Sequence, residues 1–339
     1  MKKLKVGVVG ATGMVGQVFM TLLEERSFPL AELRPFASEA SIGKKVKCQG
    51  KEWTCEVLRS NCFEGLDIVF FSSGDDISKE WAPEAVKAGA YAIDNSAAFR
   101  MSPQHALVVP EVNGDLVQGM KAPQVIANPN CSTIQLVVAL KPLQEKFGVD
   151  EVRVSSYQAV SGAGLAAYEE LLANTQDYKN PNPKPVNFVH PILFNVIPQI
   201  GSFDDEGFTS EEKKIQNETK KILRQPTMKV SAFAVRVPVL NAHSESVWVT
   251  LSKEVSREEM LNALADMPGL VVQDEPKKSV YPMPRDVAGK DPVYVGRIHR
   301  DPENKKLWLM WVVSDNIKKG AALNGIQIAD LLIQNALKG

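Results

Sequence analysis

Apolar positions in the first third of the chain fall into short runs that alternate with helical spacings. Lys5 to Val9 is a compact β-rich run, and Val18, Leu22 and Leu23 then recur on one helix face. Leu33 to Ala37 and Asp67 to Ser72 read as strands, Lys79 to Ala88 as a helix and Tyr91 to Asp94 as a strand. Val108-Val109-Pro110 and Gln124 to Ala127 read as short strands. This alternation predicts a doubly wound parallel sheet with helices on both faces. Ligand-contacting loops of such sheets follow the carboxyl ends of strands, where Ser72-Ser73-Gly74 and Asn95-Ser96 stand.

The rhythm then changes. Ile134 to Leu143 is apolar enough for a buried helix, Glu151 to Ala159 alternates as a strand, and Leu165 to Leu172 reads as a helix. Asn180 to Pro185 is too rich in proline to be regular. Glu211 to Leu223 reads as an exposed helix. Lys229 to Pro238, Glu245 to Lys253 and Lys306 to Val313 read as strands of an antiparallel sheet, with helix Arg257 to Met267 among them. Ala321 to Leu337 is amphipathic, carrying Ile326, Ile328, Ala329, Leu332 and Ile333. The division expected is an α/β domain of residues 1–130 with 316–339 and an α+β domain of residues 131–315. There is no internal repeat.

Composition narrows the picture. A chain of 339 residues exceeds one ordinary core. Its 44% hydrophobic and 23% charged residues are those of a soluble globular protein. A net charge of −1 draws it to neither nucleic acid nor membrane. No apolar run reaches the roughly 18 residues of a membrane span, and the run after Lys5 is too short for a signal peptide. A cytoplasmic protein is expected. Cys48, Cys55 and Cys62 lack the spacing of a metal site and are expected to be buried, so no metal is expected. The pairs Lys277-Lys278 and Lys318-Lys319 are expected to be solvated.

Two segments carry chemistry most clearly. Gly10-Ala-Thr-Gly13-Met14-Val15-Gly16 lies between a strand and a helix, the context of a dinucleotide's pyrophosphate; a bare tight turn is the alternative. Asn128-Pro-Asn-Cys131-Ser-Thr places a thiol at a helix start, where unpaired N–H groups favour thiolate. His243 follows Arg236 by seven residues and is either a general base or a half-buried structural histidine. Gln158 runs into the turn Ser161-Gly162-Ala-Gly and could orient a carbonyl. Arg100 and Lys221 could bind an anionic substrate or stay solvated.

These segments in this order resemble bacterial-type aspartate-semialdehyde dehydrogenase over essentially the whole chain. The resemblance rests on Gly10 to Gly16, Val108-Val-Pro-Glu-Val-Asn113, Asn128 to Thr133, Tyr157 to Gly164, Arg236 to Ser246, and Trp311 to Asn316 near Lys319 to Ala322. It implies a Rossmann-like N-terminal domain and a catalytic and dimerisation domain of the glyceraldehyde-phosphate-dehydrogenase-like type. It implies NADPH-dependent reductive dephosphorylation of L-4-aspartyl phosphate to L-aspartate 4-semialdehyde, a step of lysine (diaminopimelate), threonine, methionine and isoleucine synthesis. Cys131 would be the acyl-thioester nucleophile, His243 the general acid/base, and Gln158 would position the substrate. Arg236 would hold the substrate carboxylate, Glu218 its amino group, and Arg100 and Lys221 the phosphate, with Asn130 beside the nucleophile. Gly10, Thr12, Gly13, Met14, Val15, Ser73, Ser161, Gly162 and Asn316 would contact NADP. The partners implied are small molecules and other copies of the chain, as homodimer or homotetramer.

One departure concerns the cofactor. Many relatives carry an arginine where Ala40 stands, and Glu39 suits a free ribose hydroxyl; Ser38, Ser41 and Lys44 remain for the 2′-phosphate of NADP. Asp75-Asp76 is unexpectedly acidic beside such a site. N-acetyl-gamma-glutamyl-phosphate reductase is the neighbouring alternative, which Asn130 and the Gln158 segment disfavour. A non-catalytic relative of glyceraldehyde-phosphate dehydrogenase is disfavoured by the presence of Cys131, Gln158 and His243.

Overall fold

The computed structural model of the chain describes residues 2–180 and 183–337. It divides into two compact units, Met1–Asn130 with Ala321–Gly339, and Cys131–Gly320. Residues 316–320, expected with the first unit, cluster with the second. Pro181 and Asn182, in the expected proline-rich loop, lie outside the described residues.

In the first unit the elements are β1 (Leu4–Val9), α1 (Met14–Glu25), β2 (Leu30–Phe36), β3 (Lys45–Cys48), β4 (Lys51–Thr54), β5 (Ile68–Phe71), α2 (Asp75–Lys87), β6 (Tyr91–Asp94), β7 (Ala106–Leu107), α3 (Pro110–Asn113), α4 (Asp115–Gln118) and β8 (Val125–Ala127). The main sheet has the order β2-β1-β5-β6-β8-β7, and all its pairs are parallel. Alternate residues split between two cores, as a sheet covered on both faces requires. Val6, Val8, Ile68, Phe70 and Ile93 pack with α1 and the C-terminal helix (Leu323–Asn335), whereas Val9, Val69, Phe71 and Ala92 pack with α2. Asn324 anchors the C-terminal helix, its Nδ2 donating to Val108 O at 2.9 Å and to Asn128 Oδ1 at 2.6 Å.

Two details differ from the expected pattern. Val108-Val109-Pro110 is not a strand: β7 ends at Leu107 and Pro110 opens α3, a position where its missing N–H costs nothing. The hairpin β3–β4 carries too many charges (Lys45, Lys47, Lys51 and Glu52) to show an apolar alternation. Cys48, Cys55 and Cys62 are buried as expected, and burial together with Glu24 pushes the Cys48 thiol up to about 11.

The second unit comprises α5 (Cys131–Phe147), β9 (Val149–Gln158), α6 (Leu165–Gln176), α7 (Ser210–Ile222), β10 (Lys229–Arg236), β11 (His243–Leu251), α8 (Arg257–Ala265), β12 (Leu270–Val272), α9 (Pro284–Val287), β13 (Val293–Arg300) and β14 (Leu307–Ser314). Its sheet runs β10-β9-β11-β14-β13-β12. The expected antiparallel sheet is mixed, because β10 runs parallel to β9. The crossover through α6 and α7 dictates that sense, since parallel neighbours need a long connection. Helix α5 packs on β9, β11, β13 and β14, and α7 packs on β10 and α5.

The expectation of an exposed helix at Glu211 to Leu223 is overturned. Glu211, Ile215, Glu218, Thr219 and Ile222 form a buried stripe at helical spacing, and carboxylates within that stripe disguise it in sequence. A capping box between Thr209 and Glu212 starts this helix, and Glu212 Oε1 also accepts the Ala234 N–H at 3.0 Å, tying it to β10. Lys319, expected at the surface, is 1% exposed within a wide turn that precedes the C-terminal helix. Lys277 and Lys278 are exposed as expected.

Candidate active site

In the first unit a groove of about 490 Å³ opens at the carboxyl ends of β1, β2 and β5, lined in part by Gly10, Thr12, Gly13, Ser38, Glu39 and Ser73. The sheet order reverses between β1 and β5, the switch point where such sheets bind nucleotides. Gly10 has φ +80°, and a Cβ there would stand 2.3 Å from Ser72 O. Gly13 precedes α1 without a side-chain cap, and the first turn holds no acidic residue, so its N–H groups suit a pyrophosphate. Met14 and Val15 form that first turn.

Ser73 Oγ and both amide atoms of Asn95 are buried without a partner among the described residues. Both residues follow strand ends, and such orphaned groups suit a polar ligand over the sheet edge. The donor set therefore fits a dinucleotide. Ser41 and Lys44 are not among the lining residues, whereas Ser38 and Glu39 are. Asp75 has a local explanation, since its Oδ1 accepts the Ala97 N–H at 2.8 Å and holds the loop after β6.

Arg100, 7% exposed, is bound to backbone: Nε donates to Asn128 O at 3.0 Å and Nη2 to Asn95 O at 2.7 Å. It thereby ties down the segment leading to Asn130, which is itself buried.

The second unit gathers four of the expected side chains. Arg236 and Gln158 are register partners at the ends of β10 and β9, and His243 begins β11. All three are buried: Arg236 at 6%, Gln158 at 2% and His243 at 0% exposure. Arg236 Nη1 donates to Ala159 O at 2.7 Å, and His243 Nδ1 accepts the Ala159 N–H at 3.0 Å. A Cβ on Gly162 would lie 2.9 Å from Arg236 Nη1 and 3.0 Å from His243 Cε1, so only glycine leaves that pair in place. A Cβ on Gly320 would lie 2.7 Å from Cys131 Cβ, which places the thiol's helix start against that turn. Cys131 is partly exposed.

The electrostatics are those of a dry site. Burial lowers Arg236, and Glu211 and Cys131 pull it back up. Burial, and then the Arg236 cation, hold His243 well below the ordinary histidine range. Because His243 Nδ1 accepts a backbone N–H, its neutral ring carries the proton on Nε2, and that atom is buried without a partner among the described residues. Burial lowers Lys221 on α7, with Glu218 opposing.

Asn316 joins two loops of the same unit. Its Nδ2 donates to Ser161 Oγ at 3.0 Å, and its Oδ1 accepts the N–H of Ala242, which has φ +70° just before His243. Sequence reasoning did not single out Glu211, Ser156, Gln135 or Glu245, all buried near this cluster. A signal existed. On β9 the inward alternation Val152, Val154 continues into Ser156 and Gln158, and on β11 Val249 and Val247 continue into Glu245 and His243. A strand that turns polar on its buried face marks a site. Among the described residues, no group of histidine, cysteine and carboxylate side chains could hold a metal.

Comparison with known proteins agrees over the whole length. Residues 5–120 match the semialdehyde dehydrogenase NAD binding domain, and residues 140–319 match the semialdehyde dehydrogenase dimerisation domain. The chain is 49% identical over 336 residues to an aspartate-semialdehyde dehydrogenase of Aquifex aeolicus, covering 98% of this chain and 99% of that one. Its structure is similar to Vibrio cholerae aspartate semialdehyde dehydrogenase II complexed with ASA, with a TM-score of 0.95, 40% identity and coverage of 98% and 99%. It is also similar to the Candida albicans enzyme with NADP, with a TM-score of 0.74, 28% identity and coverage of 98% and 99%.

Proposed function

This chain belongs to the aspartate-semialdehyde dehydrogenase family, and from that premise we propose how its own residues carry out the NADPH-dependent reductive dephosphorylation of L-4-aspartyl phosphate to L-aspartate 4-semialdehyde. The enzyme is an oxidoreductase of amino-acid biosynthesis, on the route to lysine through diaminopimelate and to threonine, methionine and isoleucine. The observation that carries the proposal is the buried trio Gln158, Arg236 and His243 on adjacent strand ends, with Arg236 within electrostatic reach of Cys131 at the start of α5.

The Cys131 thiolate attacks the acyl phosphate, forming a thioester and expelling phosphate. Arg100 and Lys221 take the phosphate, whose charge suits their cations. Arg236 holds the substrate carboxylate, and Glu218 its ammonium. Gly10, Gly13, the first turn of α1 (Met14, Val15), Thr12 and Ser73 hold the dinucleotide, with Ser161, Gly162 and Asn316 at its nicotinamide end. Ser38, which lines the groove, takes the 2′-phosphate. When bound, the nicotinamide supplies a hydride to an acyl carbon. The tetrahedral adduct on Cys131 then collapses to aldehyde and thiolate.

Through these steps the His243 Nε2–H donates a hydrogen bond to the developing oxyanion. That role narrows the expected general acid/base. A neutral ring with Nδ1 already bound to an amide N–H is a fixed donor, and its protonation would break that bond.

The second unit matches a dimerisation domain, so the chain self-associates; we propose a homodimer, or a homotetramer built from it. Its ligands are small molecules. No helix among the described residues is long and apolar enough to cross a membrane, and we propose a cytoplasmic location with no nucleic-acid or membrane partner.

The test is the reverse reaction: reduction of NADP by purified protein with L-aspartate 4-semialdehyde and phosphate, followed at the nicotinamide absorbance. Turnover that needs both phosphate and this aldehyde is expected. Turnover only with N-acetyl-glutamate semialdehyde would overturn the substrate assignment.

A further inference from the structure

The amide of Gln158 spends both of its hydrogens inside the protein. Nε2 donates to Glu211 Oε1 at 2.9 Å and to Ser156 Oγ at 3.2 Å. A carboxylate can only accept, so the atom facing Glu211 must be the nitrogen. The orientation of the amide is thereby set, and among the described residues no group is bonded to its carbonyl Oε1. A carboxamide held in this way cannot donate to a carbonyl, the role its strand-end position suggests. It offers an acceptor.

From this geometry we infer that Glu211 is a positioning residue: it fixes the Gln158 amide so that an oxygen acceptor, not an N–H donor, faces the substrate beside Cys131. The inference rests on the reading of Cys131, Arg236 and Gln158 as one active site. The partner chemistry it selects is a strong donor. In an aspartyl skeleton that donor is the α-ammonium.

A second carboxyl supports the arrangement. Glu245 lies directly across from Ser156 in the β9–β11 register and is wholly buried. Gln135 of α5, one turn beyond Cys131, is its polar neighbour, although neither side chain reaches hydrogen-bond geometry. Burial pushes Glu245 well above the usual carboxylate range, Gln135 opposes this, and the charge of Glu211 adds to it. Burial thus favours the neutral form of Glu245, and the Arg236 cation lies close enough to Glu211 for their charges to interact. Cys131 from α5 and His243 on β11 each interact electrostatically with Arg236, and Lys214 Nζ on α7 is 3.8 Å from Glu211 Oε2.

The experiment is a swap of the two hydrogen-bonding side chains, read by kcat, KM and thermal midpoint, with folded protein counted by NADPH titration. In Glu211→Gln the partner can both donate and accept, so the Gln158 amide is free to turn. We expect kcat to fall on the order of tenfold to a hundredfold, with a raised KM for the semialdehyde, an unchanged KM for phosphate and a lowered thermal midpoint, because the buried Arg236 loses an opposing charge. Gln158→Glu sets two carboxylates against each other and should be less active still. The double variant Gln158→Glu/Glu211→Gln again places a donor inside and an acceptor outside, and should recover at least about tenfold over Gln158→Glu. Wild-type kcat in Glu211→Gln, or no recovery in the double variant, would overturn the inference. Either result leaves wild-type turnover with L-aspartate 4-semialdehyde intact, whereas loss of that turnover in the unmodified enzyme would instead remove the proposed function.

Discussion

The cofactor groove of the first unit is built from backbone, whereas the cluster of the second is built from side chains. Gly10 at φ +80°, Gly13 as a bare helix cap and the free N–H groups of α1 present a surface with almost no side-chain chemistry. Arg236, Gln158 and His243 are instead carried by three neighbouring strand ends, each with an internal partner that sets its orientation. A backbone cradle is sensitive to added atoms and indifferent to pH. A side-chain cluster is sensitive to the identity and protonation of each member. Six substitutions at five positions test that contrast, from the largest expected effect to the smallest.

Cys131→Ala removes the only covalent partner, and turnover should vanish while NADPH still binds to the intact groove; residual activity above about one part in a thousand would contradict the nucleophile assignment. His243→Ala should cost about a hundredfold to a thousandfold in kcat. His243→Gln can return an N–H to the Nε2 position and should recover a measurable part of that loss; equal inactivity of the two variants would point to a titrating role. The pH dependence follows from the same state. His243 is held well below its unfolded value of 6.5, so the unfolded chain takes up a proton that the folded site refuses. Its contribution to stability is therefore complete above about pH 6.5 and is lost as pH falls below it, whereas kcat should show no acid limb at that value. A kcat limb there that disappears in His243→Gln would contradict the fixed-donor reading.

Paired glycine substitutions separate the two sites. Gly10→Ala collides with Ser72 O at 2.3 Å and should weaken NADPH on the order of a hundredfold, with kcat at saturation largely kept. Gly162→Ala presses on Arg236 and His243 and should lower kcat about tenfold, with NADPH binding little changed. An exchange of these two phenotypes would dissolve the contrast. Lys221→Ala should have the smallest effect, a several-fold rise in the KM for phosphate that exceeds the rise for the semialdehyde. The reverse order would move Lys221 out of the phosphate site.

The first unit was legible because its signals are local: apolar runs, helical spacings and a glycine turn in sequence order. The helix start at Cys131 was legible for the same reason. The orientation of β10 was not, because strand sense depends on the crossover through α6 and α7 rather than on the strand's own residues. Helix α7 read as solvent-facing because its buried stripe includes Glu211 and Glu218, and burial of a carboxylate is decided by partners on other elements. The same limit hid Lys319, charged in sequence and enclosed in the fold. The donor state of His243 was likewise invisible, since it depends on an amide 84 positions away in the chain.

The C-terminal helix bears on the order in which the molecule can be made. Leu323, Ile326, Ala329 and Leu332 complete the core that contains Phe19, Phe70, Ile93 and Ile126, and Gly325 lies against the Phe19 ring. On the ribosome, this face of the first sheet stays uncovered until the whole second unit has been synthesised. The nucleotide-binding sheet is thus translated before the second unit and sealed only after it. A nascent chain that stalls before Leu323 carries an open apolar face for a chaperone to shield.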